Sequence, residues 1–299
     1  MDDTYTLAET VFKSTNDVTE MVEQKAAATV VRMVRDRRGV DLILDMLQLP
    51  DPREPRKMSD IEVRSDMTVE LIDSMGSDES VVRAARISTG RDKSNLVPKE
   101  GTTQDEAATG LINFLMSNRH GTPFEHNAMT FRIEAPIFVW REFHRHRIGF
   151  SYNEESSRYK QLSPMFYAPA ADRNLTQVGK PGHYVFTPGT DEQKLHTAQA
   201  LSESYKVAYD AYEELLQAGI AREVARACLP VSIYSSCYVT CNARSLMSFL
   251  SLRTKREDSK FPSFPQREIE LVAEQMEGIW AKLMPVTHAA FDASGRVSP

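Results

Sequence analysis

Residues 145–159, R-H-R-I-G-F-S-Y-N-E-E-S-S-R-Y, bring together more side chains suited to polar chemistry than any other stretch of the chain. Arg145, Arg147 and Arg158, flanked by Arg141 and Lys160, offer guanidinium and ammonium donors to an anion. Glu142, Ser151, Asn153, Glu154, Ser156 and Ser157 add acceptors and hydroxyls for a polar organic group. Four of the seven histidines fall within residues 120–146. The mixture suits a phosphorylated small molecule better than bare phosphate. A short basic run alone is usually a solvated face, so the reading depends on what flanks it.

The flanking sequence predicts the elements that must position these groups. Upstream lies a strand over residues 69–73, then a helix capped by Ser77 or Asp78 with Val81, Val82 and Ala85 inward. A second helix starts at Thr103, with Glu106 at capping-box spacing, and runs through Leu111, Phe114 and Leu115 to about Asn118. Residues 128–134 alternate as a strand. Pro136 then opens a helix whose last turn carries the basic cluster, where the helix dipole favours cations.

Downstream, residues 166–168 read as a short strand and residues 172–191 as a Gly- and Pro-rich loop. A long amphipathic helix follows over about 194–217, with Leu201, Tyr205, Ala208, Tyr212 and Leu215 on one face and Gly219 at its stop. Arg222 and Arg226, four apart, share a helical face before Pro230. Residues 231–240 are β-rich, Asn242 is the N-cap of the next helix, a polar insert covers 254–265, and a final helix covers about 266–283. Ahead of all this, residues 1–58 read as a helical N-terminal extension closed by a stiff linker holding Pro50, Pro52 and Pro55. Residues 59–299 form the body.

Composition narrows the function classes. A formal net charge of −6 argues against a general nucleic-acid binder, so any anionic ligand must be met by local arginines. Cys228, Cys237 and Cys241 have no C-x-x-C spacing and read as buried thiols in a reducing cytoplasm. The apolar runs over 26–31 and 135–140 are far too short to span a bilayer. G-x-G-x-x-G, Walker A, H-E-x-x-H and G-x-S-x-G are all absent, which removes support for a Rossmann site, a P-loop, a zinc hydrolase and a serine hydrolase; no metal is expected.

Arg145, His146, Arg147, Asn153, Glu154, Ser156, Arg158 and Tyr159 match, in kind and order, the signature of the flavin-dependent thymidylate synthases, which the chain resembles. The resemblance extends to S-V-V-R-A-A-R-I-S at Ser80, H-G-T-P-F-E-H at His120, A-P-I-F-V at Ala135, R-E-V-A-R at Arg222 and N-A-R-S-L-M-S-F-L-S-L-R at Asn242. It covers nearly all of residues 66–283. Three features depart from the family pattern. Eight residues, one more than usual, separate Arg147 from Ser156; Glu142 stands where relatives often carry Gln; and in the segment after Arg253, where some relatives place a histidine near the flavin, Phe264 and its neighbours stand instead.

The resemblance implies an α+β fold, a single domain with a mixed sheet and packed helices, in a homotetramer whose active sites are shared between subunits. It implies reductive methylation of dUMP to dTMP, with methylenetetrahydrofolate giving the carbon and FADH2, reloaded by NADPH, giving the hydride. It assigns Ser88, His120, Arg145, His146, Arg147, Asn242 and Arg244 to FAD. Glu142, Arg145, Glu154, Ser156, Arg158, Arg226 and Arg253 go to dUMP. Arg253 and Ser156 stand nearest the chemistry, Ser156 as a contact and not a nucleophile, since no base accompanies it. A pyrimidine hydroxymethylase on the same fold and an RNA-binding protein are the competing readings. The acidic balance speaks against the second.

Overall fold

Alternating apolar residues build β3 (Ala128–Pro136), whose Met129, Phe131, Ile133 and Ala135 are buried. The computed structural model describes residues 60–90, 103–180 and 183–299, so the expected helical extension over residues 1–58 lies outside the described residues. β3 pairs on one side with β2 (Thr68–Met75) and on the other with β8 (Tyr234–Cys241). β8 pairs in turn with β4 (Phe150–Glu154), giving an antiparallel sheet in the order β2-β3-β8-β4. Parallel pairing occurs separately, between β1 (Glu62–Arg64) and β5 (Met165–Tyr167), so the two pairing types lie in different sheets.

The helices form where caps and periodicity call for them. α1 (Asp78–Arg86) follows Ser77, whose backbone N–H donates to Ser80 Oγ at 3.1 Å, and buries Val81 and Val82. α2 (Gln104–Ser117) opens on the reciprocal Thr103–Glu106 box, with Thr103 N–H to Glu106 Oε2 at 2.8 Å and Glu106 N–H to Thr103 Oγ1 at 3.2 Å. Its buried stripe is Ile112, Leu115 and Met116. Phe114 is exposed and meets His120 edge-on.

α3 (Ile137–Phe143) packs Val139, Trp140 and Phe143 into the core, and the long α4 (Asp191–Gln217) buries Tyr205, Tyr209 and Tyr212. Then come α5 (Arg222–Ala225), α6 (Ala243–Arg253) and α7 (Arg267–Leu283). No helix among the described residues is long and apolar enough to cross a membrane.

Two elements were not expected. Residues expected as a loop form a hairpin of β6 (Thr176–Lys180) and β7 (His183–Thr187), which pair only with each other. A last helix, α8 (Pro285–Ala293), is capped from a distance: Asp78 accepts from the backbone N–H of Val286 at 2.9 Å and of Thr287 at 2.8 Å. That carboxylate lies more than two hundred residues upstream, so Pro285 at the first helical position was the local start signal and the cap itself was not legible.

The C-terminal turn is fastened by an almost fully buried cation. Arg296 donates to Glu277 Oε1 at 2.7 Å and to Thr254 Oγ1 at 3.0 Å, and it also pairs with Asp292. Burial opposes the Glu277 charge, yet bonds from His288 and Arg296 hold its carboxyl down at about 2. Removing Arg296 leaves the buried Glu277 carboxylate only His288 and the longer Arg256 contact, so Arg296→Met is expected to lower unfolding free energy by about 3 kcal/mol. Urea denaturation of the two proteins measures it.

Candidate active site

α3 stops at Phe143, a turn earlier than the sequence suggests, so Arg145, His146 and Arg147 sit in the turn leading to β4 and not on the helix. The turn closes through His146 N–H to Phe143 O at 2.8 Å. Its exit is Gly149, at φ +70°, where a Cβ would stand 2.0 Å from Ser245 Oγ. β4 pairs with β8 in unbroken register from Phe150 onward, so the longer spacer is absorbed in this turn and not as a strand bulge. Gly149→Ala must therefore pay both the left-handed penalty of about 1–2 kcal/mol and a clash with buried Ser245. Chemical denaturation should show at least that loss, together with weakened ligand binding.

Behind the turn, Arg253 at the end of α6 ties three assigned residues together. Its Nε donates to His146 Nε2 at 3.0 Å, Nη2 donates to the Glu142 carbonyl at 3.3 Å, and Nη1 pairs with the Glu142 carboxylate at 2.7 Å. Glu142 is thus held by Arg253, not by Arg141, Arg145 or Arg226. His146 rests edge-on against Phe249, 4.9 Å between ring centres. Burial first, then the Arg253 charge, lowers the imidazole to about 4, while Glu142 acts in the opposite direction. His146 is neutral at pH 7. Because its Nε2 accepts from Arg253, its proton sits on Nδ1. A guanidinium has five N–H donors; three of Arg253's are engaged here, leaving two for a ligand.

A second group gathers below β4. Arg226 donates to Ser157 Oγ at 2.8 Å, and Arg158 donates through Nε to Glu223 Oε2 at 2.8 Å and through its backbone N–H to Ser156 Oγ at 3.3 Å. Glu223, three residues before Arg226 in the chain, thus pairs with Arg158 and not with Arg226. Glu154 accepts from Ser235 Oγ at 2.6 Å. This group sets two guanidiniums beside serine hydroxyls, donors of the kind that meet an anion.

The third group is at the opposite end of α6. Asn242 caps that helix, its Oδ1 accepting from Ser245 N–H at 2.9 Å, which leaves its amide N–H donors free to face the Gly149 turn. Arg244 pairs with Glu125 and donates to Pro299 O at 2.8 Å, its guanidinium lying flat over Gly121, next to His120. Ser88, assigned to the same cofactor, is exposed at the end of α1 and bonds only its own helix, Oγ to Ala85 O at 2.9 Å. It joins none of the three groups.

Arg145, Arg147 and Arg158 are exposed, and Ile148 is 92% and Tyr159 78% exposed beside them. The 920 Å³ cavity of the structure lies elsewhere, between the β6–β7 hairpin and the start of α7, and is lined by none of the assigned residues. The assigned groups therefore occupy an open surface. Sequence reading missed Phe249, Glu223 and Tyr152 as parts of the site. Each is an ordinary packing or helix-face residue until the fold brings it to the turn.

All three cysteines are free, and burial pushes the Cys237 and Cys241 thiols up to about 12 and raises Cys228 as well. None is a thiolate nucleophile at neutral pH. The α+β body, built on an antiparallel four-stranded sheet, thus presents a surface of arginines suited to anionic groups, with its cysteines held as thiols.

Comparison with known proteins places the chain. The family described as "Thymidylate synthase complementing protein" matches residues 70–286. The chain is 59% identical over 239 residues to the flavin-dependent thymidylate synthase of Streptomyces coelicolor, covering 80% of this chain and 96% of that protein. It is 38% identical over 232 residues to that of Kosmotoga olearia, covering 78% and 93%. Among solved structures, a UMP/dUMP methylase, PolB, from Streptomyces cacaoi bound with 5-Br dUMP aligns with a TM-score of 0.73 at 54% identity, over 80% of this chain and all of the other. The chain belongs to the flavin-dependent thymidylate synthase family.

Proposed function

We infer that the protein methylates dUMP to dTMP, taking the carbon from methylenetetrahydrofolate and working as a homotetramer with active sites shared between subunits. The observation that carries the reading is the Arg253–His146–Glu142 assembly, which holds a cation with two unspent donors beside a neutral imidazole. As uracil C5 becomes nucleophilic, negative charge gathers on the ring oxygens, and a guanidinium fixed in advance stabilises it. Ser156, Ser157, Arg158 and Arg226 would hold the 5′-phosphate, Arg158 exchanging Glu223 for the stronger anion.

The donor set suits FAD. Arg145 and Arg147 are exposed without an ion pair among the described residues, and Asn242 keeps its amide donors. These three, with His120, His146 and Arg244, would hold the cofactor. When bound, FAD supplies the hydride, with NADPH as the reductant. The chain's own part is to orient and to stabilise charge. Exposure of the assigned arginines supports completion of each site by a second copy.

Purified protein loaded with FAD and desalted should keep its flavin absorbance and, given methylenetetrahydrofolate and NADPH, convert dUMP to a product in which a methyl replaces the C5 hydrogen. Colourless protein that fails to bind added FAD would overturn the reading. The name of the Streptomyces cacaoi relative favours a second substrate, so UMP should be assayed beside dUMP.

A further inference from the structure

We propose that Tyr152 is a positioning residue for the turn that presents Arg145, His146 and Arg147, its hydroxyl being shared between the carbonyls of Phe143 and His146. The proposal rests on the functional reading above and deepens it, since it concerns how the ligand-binding turn is held.

The two contacts are Tyr152 Oη to Phe143 O at 3.0 Å and to His146 O at 2.7 Å. Phe143 is the last residue of α3, and the final carbonyls of a helix have no partner inside it. One hydroxyl proton serves both acceptors, tying the helix end to the middle of the turn. Among the described residues, no other side chain donates a hydrogen bond to a backbone carbonyl of residues 144–149.

The ring that carries the hydroxyl is itself fixed. Tyr152 stacks on Phe150 with an interplanar angle of 9° and meets His144 edge-on at 5.0 Å. Its backbone is opposite Val239 in the β4–β8 ladder, so the clamp is anchored in the sheet. Burial raises the phenol well above its ordinary range, which keeps the group a donor at every working pH.

A turn closed only by the His146 N–H to Phe143 O bond would sample more backbone positions and make each ligand contact at an entropic cost. The clamp settles the backbone in advance. His146 then reaches Arg253 from one side of the turn, and Arg145 and Arg147 point to solvent from the other.

Tyr152→Phe deletes one oxygen and keeps the ring, so it tests the clamp and not the packing. FAD affinity, the KM for dUMP and kcat would be measured for both proteins, with amide hydrogen exchange of the peptide covering residues 144–149. Expected is a rise on the order of tenfold in the Kd for FAD and a several-fold rise in KM, with kcat at saturation nearly unchanged, because bound ligands restore the turn. Exchange should rise on the order of tenfold in that peptide and not in β3 or β8. A fall in kcat with unchanged Kd and KM, or a uniform rise in exchange, would mean general destabilisation and overturn the proposal. So would affinity and exchange equal to wild type. If wild-type protein binds no FAD, the flavin reading fails, and selective exchange in Tyr152→Phe alone decides the clamp.

Discussion

Arg244→Ala and Arg253→Ala are each expected to abolish nearly all activity, and co-expression of the two is expected to restore part of it. The two arginines begin and end α6, nine residues or roughly 13 Å apart along its axis, and nine steps of about 100° point them in opposite directions. In the structure they keep different company: Arg244 lies over Gly121 beside Glu125, and Arg253 grips His146 and Glu142. Flavin and uracil must nevertheless meet closely for hydride transfer. One helix serving two neighbouring sites across a symmetric interface reconciles these facts. Random mixing of the two variants then gives about a quarter of sites with both arginines intact. Mixed oligomers as inactive as the parents would show that both arginines act within one chain's own site.

The second large effect concerns Glu142. With 14% of its side chain exposed, Arg253 depends on this carboxylate for most of its charge compensation. Glu142→Gln preserves the shape and a hydrogen-bond acceptor while freeing the guanidinium's charge, so dUMP affinity should hold or improve. Glu142→Ala removes the anchor as well. A hydrogen bond to a charged group contributes about 1.5–3 kcal/mol, so kcat/KM for that variant should fall roughly ten- to a hundredfold. A large loss of dUMP affinity in Glu142→Gln would instead show that the negative charge is itself used.

The same pocket sets a pH dependence. The folded pKa of His146, about 4, lies below its ordinary 6.5, so the unfolded chain binds more protons between those values. The contribution of a neutral His146 to stability is therefore complete above about 6.5, declines as pH falls toward 4, and is constant below. Replacing His146 with Gln should flatten the stability profile in that window, as read by urea midpoints at successive pH values.

Much of this architecture was legible because its signals are local. Thr103 with Glu106, and Asn242 before its apolar run, satisfy backbone donors within one turn, and the structure places both caps where the spacing puts them. Alternation over residues 128–134 likewise sufficed for β3, since a half-buried strand must alternate. The end of α3 was not legible. Nothing between Glu142 and Arg147 breaks a helix, and the chain leaves it because the turn is secured by Tyr152 and Arg253, residues beyond the helix.

The sequence alone therefore determined the inventory: which arginines, histidines and serines are present, in what order, and the family to which that order belongs. Tertiary structure decided their partners. That Glu142 answers to Arg253, that Arg226 takes Ser157 while Glu223 takes Arg158, and that Ser88 stands apart are outcomes of packing between segments far apart in the chain. Capping and periodicity act over a few residues and are written in adjacent letters. Charge pairing is decided by which donors and acceptors are brought within reach of one another, and only the folded chain does that.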